Sequence, residues 1–217
     1  MLELVDQYCE RTGPELWSEP INAATNLAFL LAGFWGLREA RRHGADWPVV
    51  TLCWWVVAIG VGSMLFHTFA NRVTMLADVI PIAVFTLAYT GFAIRRFLGY
   101  ARGKAAFIFV IFYLAAGGLT ALVPGWLHAL SNGSTGYLPA FLALFVFGGW
   151  IAARGHEAGP WLLAAAATFL VSVTFRAVDQ ELCALLPFGT HFMWHLLNAA
   201  MLALLLGAAA RHGREVS

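Results

Sequence analysis

The chain has 217 residues, of which 60% are hydrophobic and 12% charged, with a net charge of +1 and a mean hydropathy of +0.73. A soluble domain carries about 25% charged residues, so these charges are too few to wet a globular surface, and most of the exterior must face lipid. The near-neutral balance, with no basic patch interleaved with aromatics and no phosphate-cradling glycine loop, excludes a nucleic-acid partner.

The first residues are polar and acidic (Glu3, Asp6, Glu10, Glu15, Glu19) and lack a basic stretch ahead of an apolar core, so no cleavable signal peptide is expected. Hydropathy then predicts seven runs: Pro20 to Leu37, Pro48 to Phe69, Met75 to Ile94, Ala105 to Val123, Tyr137 to Ala153, Pro160 to Val178 and His191 to Ala210. Each is close to the roughly 17–25 residues that cross a hydrocarbon core as a helix. The breaks are short and hold the charges, prolines and glycines, so neighbouring helices must run antiparallel. The predicted fold class is an all-α integral membrane protein, a single seven-transmembrane-helix bundle in a lipid bilayer. Residues 1–19 form an outer N-terminal segment, 20–210 the bundle and 211–217 a cytoplasmic tail.

Orientation follows from lysine and arginine, which collect on the cytoplasmic side. With the N-terminus outside, Arg38, Arg41, Arg42, Arg95, Arg96, Arg102, Lys104, Arg154, Arg211 and Arg214 are inner, against Arg11, Arg72 and Arg176 outer. The acids run the other way, with only Glu39, Asp46, Glu157 and Glu215 inner. These inner charges read as topology signals and headgroup contacts. His43, His156 and His212 read as solvated, and His128 as an interfacial residue.

This topology brings the unusual polar residues to one outer depth. His191 and His195, four apart, share a face at the start of the seventh run, and Asn198 continues it. His67 ends the second run, and Asp78 opens the third across a short turn. Glu19, Asn22 and Asn26 line the outer end of the first run; Ser172, Arg176 and Asp179 line that of the sixth. Ionisable groups at membrane depth face the bundle interior. Three histidines at one depth fit a catalytic zinc site, which takes three protein nitrogens and keeps a position for water. Asp78 is then placed to hold or deprotonate that water. Ser63, one turn before His67, is placed to donate to a developing oxyanion. Plainer roles stand beside these: an interhelical hydrogen bond for each histidine, a helix cap for Asp78, a small packing residue for Ser63. Cys9 and Cys183 both fall on the oxidising side, where a disulfide would staple the N-terminal segment over the site. Cys53 reads as a buried small apolar residue.

At these residues the chain resembles a known family. Asp6-Gln7-Tyr8-Cys9-Glu10 with Trp17-Ser18-Glu19-Pro20-Ile21-Asn22 resembles the N-terminal motif of alkaline ceramidases. Gly62-Ser63-Met64-Leu65-Phe66-His67 followed by Asp78, and Asp179 to Cys183 followed by His191-Phe192-Met193-Trp194-His195, resemble their other motifs. The wider group is the CREST superfamily of seven-helix membrane hydrolases. The resemblance implies zinc on His67, His191 and His195, Asp78 on the zinc-bound water, Ser63 near the oxyanion and a Cys9–Cys183 bridge. It implies cleavage of ceramide or a similar N-acyl lipid to a fatty acid and a sphingoid base. It also implies a calcium site in the N-terminal segment, for which Glu10 and Glu19 match best, with Asp6 near. Here Thr12 stands where an asparagine is expected, and the spacing from Glu10 to Glu19 is shorter than in the family.

The resulting expectation is a zinc-dependent intramembrane amidase, multi-pass in a bacterial inner membrane, with its site toward the periplasmic side. The alternative is a non-catalytic seven-helix receptor or transporter with a structural metal site. A transporter is expected to show broken helices or inverted repeats, and a receptor a substantial ligand-binding or signalling segment; neither pattern is visible in the sequence.

Overall fold

The computed structural model describes residues 3–214. Within them the regular structure is helical, apart from an isolated antiparallel bridge between Leu4 and Asn71. The α-helices are α1 (Pro20–Thr25), α2 (Leu27–Arg42), α3 (Trp47–Phe69), α4 (Arg72–Arg96), α5 (Arg102–Ala121), α6 (Gly125–Leu130), α7 (Leu138–Ala153), α8 (Ala158–Ala177) and α9 (His191–His212), with 3-10 turns at Ser134–Tyr137 and Gln180–Leu182. Six are long and apolar enough to cross a membrane: α3, α4, α5, α7 with the 3-10 turn before it, α8 and α9. The chain is thus built as a multi-pass membrane protein.

The expected first span is divided. α1 and α2 abut at Asn26, whose backbone stays in the right-handed helical region (φ −64°, ψ −18°). The side chains of Thr25 and Asn26 both donate to the Asn22 carbonyl, at 3.1 and 2.8 Å. Such side-chain donors compete with the helical ladder, and the 16 residues of α2 alone fall below the span length. The short α6, in the loop before α7, was not anticipated.

α9 is apolar around most of its circumference and buries thirteen of its residues, which makes it the central helix. It packs against α2 and α8, with α3 behind. α5 lies at the periphery and buries only Ala105 and Ala116.

The α3–α4 seam positions part of the site. Asn71 caps α4 by accepting from Val73 N and Thr74 N, and Thr74 returns a bond to the Asn71 backbone. Asp78 therefore is not the cap; it sits in the second turn. Pro81 has no N–H for the Ala77 carbonyl four residues back. That carbonyl lies against Gly62, where a Cβ would stand only 2.0 Å from it. Only glycine allows this approach, which brings Asp78 beside Ser63 on α3.

At the arginine-rich end several charges expected as topology signals and headgroup contacts, and two histidines expected to be solvated, have partners within the protein. Glu39 is buried (2% exposed), because Arg211 reaches it at 2.7 Å and Arg42 at 3.1 Å. A carboxylate in that position is tolerable only when paired. Arg96 bonds Asp46 at 2.6 Å, and His212 pairs with Glu157 at 3.1 Å. His156 accepts from Ala158 N at the start of α8. These ties fasten α9 to α2 and to the start of α8, and α4 to the start of α3, so these particular charges are structural. Glu215, expected among them, lies outside the described residues. His128, in α6, is exposed and bonds Thr135. Cys53 is fully buried, as expected.

At the other end the N-terminal segment crosses the helix termini. Val5 N donates to Ala70 O at 2.7 Å, and Gln180 donates to Gln7 O at 2.8 Å. A disulfide joins Cys9 to Cys183 in the loop before α9. Two outcomes are expected. Gly62→Ala should force α3 and α4 apart and lower stability by about 1–3 kcal/mol, read as a lower thermal unfolding midpoint in detergent. Reduction should shift the electrophoretic mobility of the intact protein, and Cys9→Ser should abolish that shift.

Candidate metal centre

α3 carries His67 in its last turn, and α9 carries His191 and His195 in its first two. All three are buried, and their ligating atoms lie within 4.8 Å of one another. They form the one group of three or more candidate metal-binding side chains among the described residues. One ring nitrogen of each is buried without a hydrogen-bond partner: His67 Nε2, His191 Nδ1 and His195 Nε2. Leaving buried polar atoms unpaired is costly, and three at one point fit an ion-binding role. The site takes shape from the other side of each ring. His67 Nδ1 bonds Glu19 Oε2 at 2.5 Å, and His195 Nδ1 meets Thr25 Oγ1 at 2.9 Å. With Nδ1–H donated outward, the Nε2 lone pair is left for the centre. Tyr8 stacks on His191, with centroids 3.5 Å apart and planes 17° from parallel. Three neutral imidazoles suit zinc or a similar borderline ion.

Asp78 lies beside this group. Its Oδ1 is buried and unpartnered, and Ser63 is adjacent to the carboxyl. The expected companions on other helices have specific partners. Ser172 donates to Trp194 O at 3.1 Å and braces α8 on α9. Arg176 donates to Asn132 O and Ser134 Oγ, and its guanidinium lies 5.9 Å from the Tyr8 ring. The fully buried Asp179 accepts from Thr190 N (2.6 Å), His191 N (2.9 Å) and Cys9 N (3.0 Å). It thereby caps α9 from twelve residues upstream and holds the N-terminal segment against the same helix end. Gly189, at φ +64°, makes the turn that permits this; a Cβ there would stand 2.2 Å from Asp179 Oδ1.

The calcium expectation finds no fit. Both Glu10 oxygens accept from the first turn of α1, Ile21 N at 2.6 Å and Asn22 N at 2.8 Å. Burial pushes the Glu10 carboxyl above its ordinary range, against the effect of those two donors. Glu19 is held by Arg11, Asn22 and His67. Burial works against its charge too, but the hydrogen bonds from His67 and Arg11, with the positive charge of Arg11, outweigh that and hold it below the usual range. Asp6 is exposed. The three acids do not converge on one point among the described residues.

Beneath the histidines lies a partly open apolar cavity of about 60 Å³ lined by Phe29, Ile59, Phe85, Tyr89, Trp194 and Met201, among others. Asn198, the next position on the histidine face, also lines it, and its Oδ1 has no partner.

Sequence reasoning missed four contributors: Arg11, Tyr8, Thr25 and the capping role of Asp179. Tyr8 was within reach, since it precedes Cys9 in a motif already singled out. The other three depend on which segments meet.

No curated protein matches the chain in sequence. The family model described as Ceramidase matches residues 7–214, nearly the whole chain, and takes in each of the histidines, Asp78, Ser63 and both bridged cysteines. On that match the chain belongs to the Ceramidase family.

Proposed function

We propose that this protein is a zinc-dependent intramembrane amidase that hydrolyses ceramide or a similar N-acyl lipid to a fatty acid and an amine, the sphingoid base in the case of ceramide. The observation that supports this reading is the meeting of three buried histidines, each with an unpartnered ring nitrogen, and a buried Asp78 carboxyl that feels His67 and bonds Ser63. The family match supports the substrate class. His67, His191 and His195 would hold the ion. Zinc bound by three imidazoles lowers the pKa of a water and polarises a carbonyl.

The chain's own residues supply the rest. Asp78 takes the proton from the attacking water and returns it to the nitrogen as the C–N bond breaks, so the amine leaves neutral. The Ser63 hydroxyl donates to the carbonyl oxygen as charge develops there. The Glu19–His67 and Thr25–His195 bonds keep two imidazoles aimed at the centre. The apolar cavity below receives hydrocarbon adjoining the amide.

The proposal includes the orientation. The arginine-rich end faces the cytoplasm, and the N-terminal segment with the site faces out; in a bacterial inner membrane that is the periplasmic side. The α1–α2 pair then serves as a seventh span. The Cys9–Cys183 bridge at the site end favours this sense, because disulfides persist on the oxidising side.

Metal analysis of purified protein and lipid mass spectrometry after incubation with ceramide test the reading together. Stoichiometric zinc is expected, with fatty acid and amine released in equal amounts. His67→Ala and His195→Ala should lose both zinc and hydrolysis. Asp78→Ala should keep zinc while turnover falls by about 10²–10⁴-fold. Full activity in metal-free protein would overturn the mechanism.

A further inference from the structure

Arg11 is a surface cation by sequence, yet its side chain is fully buried. Its guanidinium reaches four oxygens. Nε donates to Glu19 Oε1 at 2.5 Å, one terminal nitrogen to Gly13 O at 3.1 Å and Glu15 O at 3.4 Å, and the other to His67 O at 3.1 Å. One carboxylate and three carbonyl oxygens form the kind of hard-oxygen set that a calcium ion takes. They come from the N-terminal segment, the residue before α1 and the C-terminal end of α3. The His67 carbonyl belongs to the last turn of α3, where carbonyls lack helical partners and the negative end of the dipole favours a cation.

We propose that Arg11 is the resident cation of this cage: its guanidinium does permanently what the calcium ion implied by the family resemblance would do, and the protein is calcium-independent. Geometry rather than charge alone supports the assignment. The planar fork presents fixed donors to several oxygens at once, whereas a divalent ion among the same oxygens would sit against a buried guanidinium. Arg11 acts through Glu19, whose other oxygen holds His67 Nδ1. It is therefore a positioning residue for the metal centre, and in that respect the inference rests on the zinc reading above.

The experiment compares the purified full chain in calcium-free, zinc-supplemented buffer with and without added millimolar calcium. The thermal unfolding midpoint and bound zinc should be the same in both, with no calcium found by elemental analysis. Arg11→Ala should weaken zinc binding by about 10–100-fold, the usual effect of losing a group that orients a ligand. Methylguanidinium supplied in the buffer should restore part of that affinity. Arg11→Lys, which keeps the charge but not the fork, should bind zinc more weakly than the original protein and carries the test if Arg11→Ala fails to fold. Stoichiometric calcium in the unaltered protein, a midpoint that rises on adding calcium, or unchanged zinc affinity in both variants would overturn the proposal. The calcium measurements need neither turnover nor zinc, so a failed ceramidase assay leaves this test intact.

Discussion

A carboxylate buried at the end of a membrane bundle survives as an anion only if both its oxygens are claimed, and Glu19 meets that condition. Arg11 takes one oxygen, and His67 and Asn22 share the other. Moving a charge out of water costs several kcal/mol even after the protein relaxes, so losing any one partner exposes that cost. The arrangement gives Glu19 three simultaneous roles. It anchors the N-terminal segment, it joins the start of α1 to the end of α3, and it fixes the tautomer and direction of the His67 ring. The metal centre depends on the last of these, since an imidazole free to turn would not keep Nε2 toward its two neighbours.

The same principle recurs around the site. Glu10 covers the first amides of α1, and Asp179 covers those of α9 while holding Cys9 N. Helix N-termini favour negative charge, so each acid is satisfied by backbone the fold must satisfy anyway. The N-terminal segment is thus held by three buried carboxylates and a disulfide, although its described residues include no helix. At the far end of the bundle Glu39 gathers Arg42 and Arg211 in a similar way, far from any chemistry. Buried ion pairs in this protein mark where elements are joined; at the histidine end, unpartnered ring nitrogens on three converging side chains mark a place for a ligand.

Backbone contacts set the remaining geometry. Ser63 and His67 lie on α3 and Asp78 on α4, so their relation depends on how closely those helices run. Gly62 against the Ala77 carbonyl fixes that distance, with Pro81 leaving the carbonyl free of the helical ladder. On the other flank, Gly189 allows the turn that carries Asp179 under the start of α9.

The sequence by itself determined the membrane class, most helix positions, the facing of His191 and His195 and the common depth of His67. Hydropathy and helical period are local properties, so segment length and residue spacing suffice to read them. It also narrowed the site, because ionisable groups in apolar runs must turn inward. The tertiary structure decided which partner each charge chose. Arg11 and the His67 carbonyl are 56 residues apart, and Cys9 and Asp179 are 170 apart. The division of the first span at Asn26 was equally hidden, because it rests on two side chains competing for one carbonyl. The burial of Glu39, read as a topology signal or headgroup contact, and of Arg11, read only as an outer-side charge, was hidden for the same reason: the solvation of a charge is set by whatever packs over it, and no local pattern in the chain encodes that.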